Sequence, residues 1–373
     1  MNNPFLISGY ISPKYFCNRE NETHNLIQNI KNKRNTTLIS QRRIGKTGLL
    51  KHVKYILEHE NKRIQLIYVD LLPALSGKEL IQSLATALVR INFKEQSFVK
   101  KLLTLLGSLR PVISFDSLTG LPNIEVGIEK PNEISEGFAS LLRYFSNIKM
   151  ELVVMMDEFQ QINRFPEQNM EAILRSVIQE FPTISFIFSG SNKHMLESMF
   201  ASSKRPFYQS TSLMYLEKIK RNEYKNFIIN KFLTHKKEIQ PAHVDQVLDW
   251  CRLHTFYVQV VCNRLFNNFS KKTSKEYINE TISQLLSEQD SLYLSYRNML
   301  PPHQFKLIKA IALEKEVKQP TSGSFINKHK LNSASSVSTS IKALIEKELI
   351  YLENNSYQVS DVFFSNWLEY HYS

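Results

Sequence analysis

Along the first two hundred residues, short continuous apolar runs alternate with longer segments whose apolar positions recur every three to four residues. Thr36–Ile39, the run "RIQLIYVD" ending at Asp70, Leu152–Met156 and "TISFIFSG" are of the first kind and predict strands. Leu152–Met156 is apolar without alternation, as expected of a central parallel strand buried on both faces. Between these runs, Leu49, Leu50, Val53, Ile56 and Leu57 fall at helical spacing, and helices are predicted from about Lys78 to Leu109, over Glu133–Ile148 and over Met170–Phe181. Strands alternating with helices predict a mainly parallel sheet with right-handed crossovers. Residues 111–130, "PVISFDSLTGLPNIEVGIEK", break the alternation and predict an inserted hairpin of two short strands around a glycine-containing turn.

From about Arg221 to Leu292 the pattern is helical throughout, and strand signals return only in the last eighty residues. There, one helix carries Phe305, Ile308, Ile311 and Ala312, and a short one covers about Ser324–His329. Ser333 is an N-cap for a third, which buries Val337, Ile341, Leu344 and Ile345 and exposes Ser335, Ser336, Thr339, Ser340 and Lys342. "LIYLE" and "SYQVS" flank the turn "NNS" as a wing, so this segment is predicted to be a winged helix.

Composition narrows the class. The chain has 373 residues, 42% hydrophobic and 22% charged, which suits a soluble globular protein of two or three domains. It contains no apolar run of the roughly 18–20 residues a membrane span requires, and "MNNPFLISGY" lacks the features of a secretory leader. Cys17, Cys251 and Cys262 form no C-x-x-C pair and suit a reducing compartment, so the expected location is cytoplasmic, with no membrane partner. The net charge of +12 invites a nucleic-acid reading, but residues 1–60 carry +6 whereas 300–373, the predicted winged helix, carry +1.

The chemistry concentrates in two places. In "TTLISQRRIGKTGLL", Ser40, Gln41, Arg42, Arg43, Ile44, Gly45, Lys46 and Thr47 match the phosphate-binding pattern G-x-x-x-x-G-K-[ST] except that Ser40 replaces the first glycine. Gly45 lets the backbone approach a β-phosphate, Lys46 brings a charge to the β- and γ-phosphates, and Thr47 offers a hydroxyl to Mg²⁺. Ser40 is expected to be tolerated because that first position serves a tight turn and does not contact phosphate. A basic strand-to-helix turn would match the same residues by chance, so the second half of the site decides. "ELVVMMDEF" supplies it: Asp157 and Glu158 end a buried strand where ligands bind in open α/β sheets, Asp157 suited to Mg²⁺ and Glu158 to polarising an attacking water. "SFIFSGSN" ends a further strand and offers Ser191 or Asn192 as a polar sensor of the γ-phosphate.

With these motifs in place the chain resembles the prokaryotic archaeal-type ATPases, P-loop proteins close to the STAND and AAA+ origin-recognition ATPases. "YFCNRENE" is similar to that family's F-x-G-R-E-x-E box, with Asn18 at the glycine, and the resemblance places Arg19 beside the nucleotide's adenine. "SSKRPFYQS" resembles the segment before the last core strand, which makes Arg205 the candidate arginine finger, with a structural salt bridge as the alternative. "LHTFYVQ" is similar to the lid's G-H-P-Y-x-x-Q element, with Leu253 and Phe256 at the glycine and proline, and implies a nucleotide-sensing role for His254.

The expected architecture is an α/β P-loop core over 1–215, an α-helical lid over 216–298 and a winged helix over 299–373. The expected function is a Mg²⁺-dependent ATPase that binds ATP between core and lid and acts as a conformational switch. An ATP-gated DNA-binding protein and a non-hydrolysing scaffold for a protein partner or a second copy are the alternatives.

Overall fold

The computed structural model describes residues 3–60, 64–92, 96–128, 130–146, 151–267 and 272–373. The end of the helix predicted over Glu133–Ile148 and position 129 of the predicted hairpin lie outside the described residues. The chain divides into two compact units, one of Tyr10–Glu217 and one of Met1–Gly9 with Lys218–Ser373.

The first unit is built on a five-stranded sheet. In chain order its elements are α1 (Glu20–Lys31), β1 (Thr36–Ser40), α2 (Lys46–Glu60), β2 (Ile64–Asp70), α3 (Gly77–Asn92), α4 (Gln96–Leu105), β3 (Val112–Phe115) and β4 (Pro122–Glu125). There follow α5 (Pro131–Ser146), β5 (Glu151–Asp157), α6 (Met170–Gln179), β6 (Ser185–Gly190), α7 (Lys193–Ala201) and β7 (Ser212–Leu216). The strand order is β2–β5–β6–β1–β7, all parallel, as the alternation of strands and helices predicts. Each face of the sheet has its own core. Leu38, Leu66, Val153, Met155, Ile187 and Leu216 pack with Leu49, Leu50 and Val53 of α2 and Leu26 and Ile30 of α1. The opposite face sends Ile39, Ile67, Val154, Met156, Phe186 and Phe188 against α3, α5, α6 and α7. β3 and β4 form the inserted antiparallel hairpin, pairing Val112 with Glu125 and Phe115 with Pro122.

In the second unit, α8 (Arg221–Thr234), α9 (Pro241–Trp250), α10 (Thr255–Phe266), α11 (Lys275–Ser287) and α12 (Asp290–Met299) make a helical bundle. Phe5 is buried beside Phe227, Phe232 and Phe266, and its carbonyl accepts from Asn263 Nδ2 at 2.6 Å, so the first residues of the chain pack on this bundle. α13 (Pro302–Glu314), α14 (Gly323–Lys328), α15 (Ala334–Glu346), β8 (Ile350–Glu353), β9 (Ser356–Val359) and α16 (Val362–Tyr372) follow as a winged helix. Ser333 caps α15, its Oγ accepting from Ser336 N at 3.3 Å. Asn354 and Asn355 have φ of 49° and 60°, so the wing turns in two residues of left-handed backbone rather than the three of "NNS". Of the hydroxyls expected on the outside of α15, Ser340 is instead buried. It donates to Ser336 O at 2.8 Å, which lets a small polar side chain sit on the packed face. Among the described residues no helix is long and apolar enough to cross a membrane.

Candidate functional site

Side chains two apart on a strand share a face. Continuing the rows that pack beneath α2 by two residues gives Ser40 after Leu38, Asp70 after Tyr68, Asp157 after Met155 and Ser189 after Ile187. The core on this face therefore ends in polar groups at the carboxyl edge of the sheet, facing the helix that begins at Lys46. Asp70 and Asp157 are register partners on neighbouring strands, and Leu71 N donates to Asp157 O at 3.0 Å, which ties the two strand ends together.

The loop between β1 and α2 shows why serine is accepted at position 40. Ser40 is the last residue of β1, paired with Leu216 of β7, and needs no special backbone conformation. The turn expected there lies further on, at Arg43 (φ 68°) and Gly45 (φ 102°), and at Gly45 the left-handed conformation favours glycine. Arg19 braces this loop. It is 5% exposed, and its guanidinium donates to Glu22 Oε1 at 2.7 Å, to Ile44 O at 3.5 Å and to Glu217 O at 2.6 Å. Asn18 (φ 55°), where the resembled family has glycine, also lies in left-handed backbone, which asparagine tolerates.

Lys46, 6% exposed, places Nζ 3.0 Å from both Asp157 Oδ1 and Glu158 Oε1. Asp157 Oδ1 also accepts from Ser189 Oγ at 2.6 Å and Glu158 N at 3.0 Å, and Oδ2 accepts from Thr47 Oγ1 and Tyr68 Oη, each at 2.8 Å. Burial pushes the Asp157 carboxyl up, but the Lys46 ammonium and the hydrogen bonds from Ser189 and Thr47 outweigh it and hold the group at about 2. The same balance of burial against Lys46, Gln160 and Ser191 leaves Glu158 below the usual carboxylate range. Glu158 itself has left-handed backbone (φ 54°), and its Oε2 accepts from Gln160 Nε2 at 2.6 Å and from Ser191 Oγ at 2.8 Å. Gln160 is packed so closely that a Cβ at Gly190 would run into its Oε1. The hydroxyl and carboxylates gathered here are hard oxygen donors of the kind that fit a Mg²⁺ ion, and Thr47 and Asp157 could hold one.

The structure thus brings Lys46, Thr47, Asp157, Glu158 and Ser191 together. Gln41, Arg42, Arg43, Ile44 and Gly45 form the adjoining loop. Asn192 points elsewhere: it caps α7, its Oδ1 accepting from Met195 N at 3.1 Å. Arg205 is tied within its own unit to both oxygens of Glu171 and to Asn163 Oδ1. His254 belongs to the second unit, 2% exposed at the start of α10, and follows Leu253, whose φ of 59° explains a glycine at that place in similar chains. Tyr68, Asp70, Ser189 and Gln160 were not among the residues expected from the sequence. The period of two along "IQLIYVD" and "SFIFSG" is the signal that would have found the first three.

The fold and this site define a P-loop NTPase. The chain belongs to the KAP family: the model described as "KAP family P-loop domain" matches residues 44–250, more than half of its length. A second model, "Probable winged helix domain", matches residues 291–370. Comparison with curated proteins gives no match. Among solved structures, the chain is similar to a Walker-type ATPase of Pyrococcus abyssi, with 16% identity, 98% of this chain and 99% of that one covered, and a TM-score of 0.67. It is similar also to the Aeropyrum pernix ORC2 protein in its ADPNP–ADP complexes, with 15% identity, coverage of 99% and 96%, and a TM-score of 0.63. The A. pernix ORC1 protein in complex with DNA matches with 13% identity, coverage of 96% and 95%, and a TM-score of 0.51. The likeness to origin-recognition ATPases is one of fold.

Proposed function

We propose that the protein binds ATP with Mg²⁺ at the end of the β1–α2 loop, hydrolyses it, and uses the cycle as a conformational switch. The observation that carries this reading is the double ion pair of Lys46 with Asp157 and Glu158, with Thr47 on the same carboxylate. In it, Lys46 and the loop amides of residues 41–45 take the phosphates, and Arg19 holds the loop in place. Thr47 and Asp157 would hold Mg²⁺, which would supply positive charge against the phosphate oxygens. Glu158, kept ionised, accepts the proton of the attacking water, and Ser191, hydrogen-bonded to Glu158, acts as the sensor of the γ-phosphate. Asn192 joins it as a sensor only by giving up its cap on α7. Arg205 serves as a structural pair for Glu171. A finger role across a subunit interface requires those bonds to break, and a hydrolysis rate per chain that rises with protein concentration and is lost in Arg205→Ala would show it.

The deciding experiment is ATP hydrolysis by the wild type, Lys46→Ala and Glu158→Gln. The expected outcome is turnover by the wild type, loss of binding in Lys46→Ala, and binding without turnover in Glu158→Gln. A wild type that binds ATP and never turns it over would leave a nucleotide-holding scaffold for a protein partner.

A second reading, ATP-gated DNA binding, draws on one feature of the winged helix. Lys318, Thr321 and Ser322 line a groove with Ser338 and Lys342 of α15 and Tyr357 of the wing, side chains suited to phosphate and base edges. The ORC1 structure in complex with DNA is similar over nearly the whole chain and fits the same reading. Retention on duplex DNA that needs ATP and falls steeply with salt is its test.

A further inference from the structure

Five groups hold the Asp157 carboxylate, and they divide unevenly between its oxygens. Oδ1 takes Ser189 Oγ at 2.6 Å, Glu158 N at 3.0 Å and Lys46 Nζ at 3.0 Å. Oδ2 takes Thr47 Oγ1 and Tyr68 Oη, both at 2.8 Å. In the reading above, which this inference rests on, Lys46 and Thr47 are the two that turn to phosphate and metal. What then remains on Oδ1 is Ser189 and the Glu158 amide, and what remains on Oδ2 is Tyr68. A carboxylate held at one oxygen pivots about that point, and one held at both is fixed.

We propose that Tyr68 is a positioning residue for the metal site: its hydroxyl, by holding Oδ2, fixes the orientation in which Asp157 meets Mg²⁺ and so sets the affinity for the metal. Tyr68 is built for this. It lies on β2, next to β5, in register with Met155, two residues before the Asp70–Asp157 pair. Its ring packs on the core beneath α2, and Lys51 Nζ lies 5.7 Å from the ring centroid. The ring is thus located by packing, and the hydroxyl donates to Asp157 Oδ2 with the Thr47 hydroxyl beside it. Outer partners that orient a metal-binding group are typically worth about 10- to 100-fold in metal affinity.

Tyr68→Phe keeps the packed ring and removes only the hydroxyl. With ADPNP saturating and Mn²⁺ as the probe, free metal read by electron paramagnetic resonance gives the Mn²⁺ affinity. The expected result is a weakening of about ten-fold or more, ADPNP affinity in EDTA within two-fold of wild type, and an unchanged melting temperature. In turnover, the Mg²⁺ concentration for half-maximal rate rises while kcat at saturating Mg²⁺ stays near that of the wild type. Unchanged Mn²⁺ affinity overturns the proposal. So does a loss of melting temperature with metal-free and metal-loaded binding falling together, which assigns the hydroxyl to stability. A wild type that binds no Mn²⁺ with ADPNP overturns both this and the reading it rests on, whereas normal wild-type binding with an indifferent Tyr68→Phe overturns this alone.

Discussion

Two regions of the molecule are built on opposite principles. At the carboxyl edge of the five-stranded sheet, Lys46, Asp157 and Glu158 are charges removed from water and balanced against one another. At the seam between α16 and the helical bundle, aromatic rings do most of the packing: Trp250 and Tyr257 against Phe363, and Tyr293 against Phe364 and Trp367. A few hydrogen bonds pin that seam, such as Trp367 Nε1 to Asp290 Oδ1 at 2.6 Å and Arg252 to Ser365 and Glu369 at 2.8 and 3.0 Å. Apolar packing stabilises in proportion to buried area. Buried charge stabilises only while every partner is present. The first region is therefore fragile to single-atom changes and suited to responding to a ligand, and the second is suited to holding a fixed shape.

The strongest way to break this contrast is at Glu158. Glu158→Gln preserves size and is expected to lower ATP turnover by about 10²–10⁴-fold with the fold intact, measured as phosphate release alongside melting. An equal turnover in the variant would remove Glu158 from the chemistry. Next in size, Lys46→Ala leaves the buried Asp157 and the half-buried Glu158 without a counter-charge and is expected to cost about 3–5 kcal/mol by urea unfolding without nucleotide. Trp367→Ala, at the aromatic seam, is expected to cost a similar 3–5 kcal/mol. The two are told apart by salt and pH, since only the first is electrostatic.

The pH dependence sharpens the point. Asp157 titrates at about 2 in the fold against an ordinary 3.8. Its contribution is then fully present above about pH 4 and is lost as the pH falls through about 2, a change of roughly 2 kcal/mol. Acid unfolding should show that loss in the wild type, and Lys46→Met should flatten it. A slope that survives in Lys46→Met would mean that Lys46 is not what holds Asp157 down. The smallest effect is expected at the wing, where Asn355→Ala removes the polar side chain that lets asparagine tolerate left-handed backbone, at a cost of about 1 kcal/mol, measured as a shift in the unfolding of the second unit.

Much of this architecture was legible from residue pattern. The strand runs, the helical spacings and the Ser333 cap are local signals, and they recur in the structure because apolar periodicity and capping are decided within a few residues. The loop "QRRIGKT" and the pair Asp157–Glu158 were legible for the same reason. Ser340 departs from the polar face that its type predicts, because a serine that bonds to its own helix backbone can sit on the buried face. Serine is accepted at position 40 because it ends β1 in extended backbone, the turn itself lying at Arg43 and Gly45.

What sequence alone determined, then, is the set of elements, their parallel sheet and the residue types able to meet phosphate and Mg²⁺. Only the tertiary structure decided which side chains stand on Asp157. Tyr68 and Ser189 come from strands β2 and β6 on either side of β5, and strand order is set by long-range packing. Likewise Arg205 reaches Glu171, Asn192 turns to cap α7, and Phe5 joins a bundle more than two hundred residues away. Each of these depends on where separate segments meet, which no single local pattern encodes.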